Sequence, residues 1–163
     1  MDNDEAVAMP RLEEEIGALL RKKKLTLGVI ESATGGLISH CITNVPGSSD
    51  YYRGSVTAYS NEVKIKVVGV AEQTIKERGA VSSQTAEEMA EGGRGLLAAD
   101  ICLSDTGIAG PTGATPEKPL GLFYIGLSSR VGTHSQRHVF QGSREEIKHS
   151  AAEAALKMLR EYL

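Results

Sequence analysis

The sequence predicts an α/β protein, a three-layer α/β/α sandwich around a mixed, mostly parallel β-sheet. Three observations support this class. Short apolar segments alternate with helical segments over most of the chain, two later segments alternate in polarity as a hairpin does, and a final amphipathic helix follows them. The chain has 163 residues, which suits one domain. We predict a flexible tail over residues 1–9 and a single domain over residues 10–163.

The amino-terminal half predicts four helices and two strands. Pro10 suits the first turn of a helix that has acidic residues near its start and basic residues near its end. Ser60 is a typical helix cap, and Gly79 is a typical helix end. The predicted elements are a helix over 11–24, a strand over 25–30, a helix over 37–43, a strand over 53–59, and short helices over 61–68 and 71–78.

The carboxyl-terminal half predicts two capped helices around three strands. A capping box over Thr85 and Glu88 begins the first helix, and one over Ser143 and Glu146 begins the last. Glycines within the first of these helices indicate close packing against a sheet or another subunit, and they are Gly92, Gly93 and Gly95. The predicted elements are a helix over 83–98, a strand over 100–104, hairpin strands over 120–128 and 135–140, and the final helix.

Composition excludes several classes of protein. The formal net charge is −3, which argues against general nucleic-acid binding because that affinity comes from many basic side chains. Two cysteines in apolar surroundings do not form a disulfide framework. No apolar run approaches the roughly 20 residues of a membrane helix, and the acidic start does not resemble a signal peptide. We therefore expect a cytoplasmic protein that binds neither nucleic acid nor membrane.

The segment ESATGG, residues 31–36, lies where the first strand meets a helix. Ligands bind beyond the carboxyl ends of strands in such sheets, so Ser32 stands where a nucleophile can be presented. Backbone N–H groups near Gly35 and Gly36 can hold a phosphate or a developing oxyanion. The alternative is that Ser32 or Thr34 merely caps the helix.

A serine nucleophile needs a base, and Lys64 is the candidate. No histidine lies beside a glycine-rich loop, which argues against a Ser-His pair. Tyr59 ends the second strand and Lys64 lies one turn into the next helix, so both can face the crevice toward Ser32. A lysine acts as a base only when burial or nearby positive charge lowers its pKa. The alternative is a surface lysine beside Lys66.

A second glycine-rich segment, TGIAGPTG, follows the strand over 100–104. Its glycines, including Gly107 and Gly110, can expose backbone N–H groups to an anion. Arg144 begins the last helix and can add a guanidinium to the same crevice. The alternatives are a simple surface loop and a surface arginine. Which of the two loops holds phosphate and which holds an oxyanion stays open.

Five motifs in order give the sequence a family resemblance. ESATGG, YSNEVK, GAVS, TGIAGPTG and GSRE together resemble the CinA C-terminal domain family over nearly the whole chain, from about residue 14 to residue 159. The resemblance implies the α/β/α fold and a nicotinamide-nucleotide amidase. It implies Ser32 as nucleophile, Lys64 as proposed base with Tyr59 beside it, and Thr106 and Arg144 as further site residues.

The implied substrate is nicotinamide mononucleotide, which such an enzyme converts to nicotinate mononucleotide and ammonia in pyridine nucleotide recycling. We expect Thr34, Gly35, Gly36, Thr106, Gly107, Gly110 and Arg144 to bind the substrate, with no cofactor, no metal and a homo-oligomeric state. Many relatives carry Cys at position 33, where this chain has Ala, and many carry a further amino-terminal domain, so we expect a stand-alone form. The alternatives are a non-catalytic nucleotide-binding or regulatory module and an amidase for another carboxamide.

Overall fold

A computed structural model describes residues 9–163, so the tail predicted over 1–9 lies outside the described residues except for Met9. Five strands form one sheet in the order β2-β1-β3-β4-β5. Both neighbours of β1 run parallel to it, whereas β4 is antiparallel to β3 and to β5, so four strands point one way. The strands are β1 Leu27–Glu31, β2 Tyr52–Thr57, β3 Ile101–Gly107, β4 Leu122–Ser129 and β5 Gly132–Val139.

Helices cover both faces of this sheet and confirm the predicted three-layer sandwich. Helices α1, α2 and α6 pack against one face, and α4 and α5 lie on the other. The helices are α1 Leu12–Lys23, α2 Leu37–Thr43, α3 Asn61–Val63, α4 Glu72–Arg78, α5 Ser83–Leu96 and α6 Arg144–Tyr162. Within residues 9–163, none of these helices is both long and apolar enough to cross a bilayer.

Two elements differ from their sequence-based predictions in ways that shape the site. Strand β3 continues to Gly107, three residues past the predicted end, because its pairing with β4 extends to Gly107 opposite Phe123. Asp105 and Thr106 therefore lie in the sheet and not in a loop. The helix predicted over 61–68 is one α-helical turn followed by a π-helical segment, Lys64–Val68, which ends at Gly69 with a φ of 88°.

The glycines of α5 bring this helix against the sheet. A Cβ on Gly93 would stand 2.2 Å from Cγ1 of Ile30, and one on Gly92 would stand 2.0 Å from the carbonyl oxygen of Val68. Gly93 therefore faces the sheet, as the sequence allowed, whereas Gly92 faces the π-helical segment. This close approach places the π-helical segment beside the carboxyl ends of β1 and β2.

Candidate active site

The carboxyl ends of β1, β2 and β3 meet at one edge of the sheet, because the three strands run parallel. A cavity of about 230 Å³ opens there, and we call it the Ser32 cavity. It collects most of the predicted site residues, namely Ser32, Tyr59, Lys64, Thr106, Gly107, Gly110 and Arg144. Three others, Thr34, Gly35 and Gly36, line a separate cavity of about 460 Å³ between α2 and the start of α6.

Lys64 is buried at the bottom of the Ser32 cavity. Only 2% of its surface is exposed, so it is not a surface lysine. The π-helical segment directs its side chain back to the end of β2, where Nζ lies 2.8 Å from the carbonyl oxygen of Ala58 and 3.1 Å from that of Tyr59. The third contact of Nζ is the hydroxyl oxygen of Ser32, at 2.9 Å.

Burial and charge act in opposite directions on the protonation of Lys64. Burial lowers the pKa of this amine below its usual value, and the charge of Asp105 acts in the opposite direction. When the amine is neutral, its two hydrogens can go to the two carbonyl oxygens, which only accept. The lone pair then faces the hydroxyl of Ser32, which is the arrangement of a general base and its nucleophile.

Ser32 lies on a tight turn that two buried carboxyl groups hold in place. Asp105 accepts the backbone N–H groups of Ser32 and Thr34, each at 3.1 Å. Glu31 accepts the N–H groups of Gly36 at 3.2 Å and Ile38 at 2.8 Å. The first amides of α2 are therefore occupied by a side chain of this protein.

The backbone N–H groups of Gly35 and Gly36 already have acceptors within the protein. The Gly35 N–H donates to the carbonyl oxygen of Ser32 at 3.0 Å, and the Gly36 N–H is bound to Glu31. The structure therefore does not bring either group to the hydroxyl of Ser32. Ala33 lines the Ser32 cavity, and its N–H has no hydrogen-bond acceptor among residues 9–163.

Tyr59 and Arg144 close one side of the cavity. The Tyr59 side chain is 62% exposed, and its hydroxyl lies 3.3 Å from Nη2 of Arg144. Nη1 of Arg144 donates to the carbonyl oxygen of Gly110 at 2.7 Å. Tyr59 therefore contacts Lys64 through its carbonyl and not through its phenol. The hydroxyl of Thr106 donates to the carbonyl oxygen of Ala80 at 2.7 Å.

The loop after β3 presents several backbone donors to the same cavity. The N–H groups of Ala109, Gly110, Thr112 and Gly113 have no intramolecular acceptor within the described part of the chain. Arg144 lines the same cavity, so its guanidinium and these N–H groups are candidate donors to an anion.

Sequence reasoning quoted Glu31 within its motif without a role and missed Asp105 altogether. Both carboxyl groups are 0% exposed. A charged residue at the end of the apolar segment ICLSD is the signal that was available, because a buried carboxyl group requires partners.

Comparisons with known proteins identify the family. A family model for the CinA C-terminal domain matches residues 9–163. A CinA-like protein of Sulfurihydrogenibium sp. is 48% identical over 152 residues, which are 93% of this chain and 38% of that protein. A CinA-like protein of Thermotoga maritima is 46% identical over 153 residues, which are 94% of this chain and 37% of that protein. The chain thus spans less than two fifths of the length of these curated relatives.

Solved structures with the same fold carry similar names. The competence damage-inducible protein A from Klebsiella pneumoniae matches with a TM-score of 0.89 and 30% identity, over 92% of this chain and 93% of that chain. The competence/damage inducible protein CihA from Agrobacterium tumefaciens matches with a TM-score of 0.83 and 34% identity, over 94% of this chain and 97% of that chain. Motifs, family model and fold agree, and the chain belongs to the CinA C-terminal domain family.

Proposed function

We propose that this chain is a nicotinamide-nucleotide amidase, with Ser32 as nucleophile and Lys64 as general base. The observation that carries the proposal is the buried Lys64 amine, which contacts two carbonyl oxygens and the Ser32 hydroxyl. A carboxamide is a poor acyl donor, so its hydrolysis needs an activated nucleophile and a donor for the developing oxyanion. The Ser32 cavity contains candidates for both.

The reaction follows from the positions of these two side chains. Ser32 Oγ attacks the carboxamide carbon while its proton passes to Nζ of Lys64. The tetrahedral intermediate then collapses, the C–N bond breaks, and Lys64 returns the proton to the departing nitrogen, which leaves as ammonia. Water next attacks the acyl-enzyme, Lys64 accepts its proton, and that proton returns to Ser32 as the nicotinate product leaves.

The Ala33 N–H is our candidate for oxyanion stabilisation. Ala33 directly follows the nucleophile in the chain and lines the Ser32 cavity, and its N–H lacks an intramolecular acceptor within residues 9–163. One such donor typically contributes about 3 kcal/mol to transition-state stabilisation. This assignment replaces the amides near Gly35 and Gly36, because those groups already have acceptors.

The phosphate of the nucleotide belongs, in this proposal, to the donors of the loop after β3 and to Arg144. These groups lie in the same cavity as Ser32, so one ligand can reach both. Binding energy at a remote phosphate orients the reacting amide, which raises turnover as well as affinity. We therefore expect nicotinamide mononucleotide to be hydrolysed far better than nicotinamide riboside or free nicotinamide.

Ammonia release from these three substrates tests the proposal. We expect Ser32→Ala to abolish release, and we expect Ser55→Ala, which alters an exposed serine on β2, to match the wild type. Binding of nicotinamide mononucleotide without ammonia release would favour the non-catalytic module. Turnover of other carboxamides alone would leave an amidase with a different substrate. Undiminished turnover by folded Ser32→Ala would eliminate the covalent mechanism.

A further inference from the structure

The hydroxyl of Thr34 joins the two buried carboxyl groups behind the nucleophile. Its oxygen lies 2.7 Å from Oε1 of Glu31 and also contacts Oδ2 of Asp105. A hydroxyl group has one hydrogen and can donate it to only one of these oxygens. For both contacts to be hydrogen bonds, the other carboxyl group must itself donate to the hydroxyl, which requires a proton on one of the two carboxyl groups.

The contacts of each carboxyl group indicate which one is protonated. Glu31 is stabilised as a carboxylate by four donors at the start of α2, which are the N–H groups of Gly36, Ile38 and Ser39 and the Ser39 hydroxyl. Asp105 accepts only two N–H groups, those of Ser32 and Thr34. Burial, with the charge of Glu31 adding to it, raises the pKa of Asp105 to about 6. The proton therefore belongs to Asp105.

We propose that Asp105 is a positioning residue for Ser32, and that it shares one proton with Glu31 across the hydroxyl of Thr34. Asp105 donates to the Thr34 hydroxyl, which donates in turn to Glu31. The same Asp105 side chain accepts the Ser32 N–H, so it connects β3 to the nucleophile turn. The kinetic consequences rest on the function proposed for Ser32, whereas the shared proton does not.

Two charged groups act on Asp105, and they act in opposite directions. The carboxylate of Glu31 raises the pKa of Asp105 by repulsion. Across the nucleophile, an ionised Asp105 would raise the pKa of Lys64 and weaken it as a base. By the same interaction, a protonated Lys64 favours the ionised form of Asp105, so the effects of Glu31 and Lys64 on this carboxyl group oppose each other.

Infrared difference spectra of the folded protein test the proton directly. We expect wild type minus Asp105→Asn to contain the carbonyl band of a protonated carboxylic acid at pH 5. We expect that band to fade as the pH rises through about 6, the pKa of this group. Absence of the band at pH 5 would overturn the shared proton. This measurement does not depend on any enzymatic activity.

Kinetics test the positioning role. Asp105→Ala removes the acceptor of the Ser32 N–H, so we expect kcat to fall about 100-fold while KM stays within about twofold, because Asp105 does not line the Ser32 cavity. Asp105→Asn keeps the shape and one of the two accepting oxygens, so we expect a smaller loss of kcat than in Asp105→Ala. Ser104→Ala is the matched control, because Ser104 precedes Asp105 in β3 but donates to the carbonyl oxygen of Ala86.

Other outcomes separate this inference from the proposed function. If Asp105→Ala keeps kcat within about threefold, or changes KM instead of kcat, Asp105 is not a positioning residue. If Asp105→Ala does not fold, folded Asp105→Asn replaces it, and values of kcat and KM both within about threefold of the wild type lead to the same conclusion. If the wild type releases no ammonia, the proposed function fails. In that case the positioning role of Asp105 is tested by a different rate. This is the rate at which a sulfonyl fluoride labels Ser32, measured by intact mass, and it is compared between the variants in place of kcat.

Discussion

Lys64→Arg removes the proposed base and keeps a positive charge at the same position. A guanidinium stays protonated at every accessible pH, so it cannot accept the proton of Ser32. A positioned general base contributes about 10² to 10⁴ in rate, and we therefore expect a loss of about 1000-fold in kcat/KM.

The expected pH dependence follows from the surroundings of Lys64. At its usual pKa of 10.5, about one amine in 3000 would be neutral at pH 7, and each unit by which burial lowers the pKa raises that fraction tenfold. In the wild type, kcat/KM should rise about tenfold per pH unit and level off below pH 10.5. The residual kcat/KM of Lys64→Arg should not show this rise with pH.

Folding stability provides a second measurement on the same group. Because the pKa of Lys64 is lowered in the folded state, the unfolded chain binds more protons between the folded pKa and 10.5. The contribution of this group to the free energy of unfolding therefore rises with pH in that window, by about 1.4 kcal/mol per unit. Lys64→Met should remove this slope in urea denaturation, whether or not the protein is an amidase.

Ammonia release between pH 6 and pH 10, with urea denaturation of each variant, covers both measurements. Lys66→Arg is the matched control, because Lys66 lies two residues away on the surface and pairs with Glu62 at 2.7 Å. It should keep wild-type rates and the wild-type pH profile. A Lys64→Arg enzyme within tenfold of the wild type at pH 7, with an unchanged pH profile, would refute the role of Lys64 as base.

Three further expectations concern the ligand, metal dependence and packing. Arg144→Ala should reduce the ratio of kcat/KM for nicotinamide mononucleotide over nicotinamide riboside, because it removes the cationic part of the anion site, and an unchanged ratio would leave phosphate binding to the loop. EDTA should leave ammonia release unchanged, because the serine-lysine scheme contains no metal step; loss of activity that zinc restores would contradict that scheme. Gly93→Ala should lower the free energy of unfolding by about 1–3 kcal/mol, because its Cβ would stand 2.2 Å from Cγ1 of Ile30, and urea denaturation measures this change.

Local patterns were sufficient for most of the elements and for two of the site residues. Helix caps and polarity patterns depend on residues a few positions apart, so α6 begins where its capping box predicts. Helix α5 begins at the predicted Ser83, but its cap is Ser82, and the predicted cap Thr85 lies inside the helix. Ser32 and Lys64 could be predicted as a pair from the sequence for a related reason. Each side chain follows a strand that the sequence predicts, and parallel strands bring their carboxyl ends to the same edge.

Contacts between distant segments decided the rest. Asp105 is more than 70 positions from the turn that it holds, and its place in β3 depends on the pairing of that strand with β4. Glu31 takes the Gly36 amide that the sequence assigned to a ligand, because a buried carboxylate at the start of a helix binds the nearest N–H groups. The ability of Lys64 to act as a base likewise depends on burial by the π-helical segment, and burial exists only once the layers have packed.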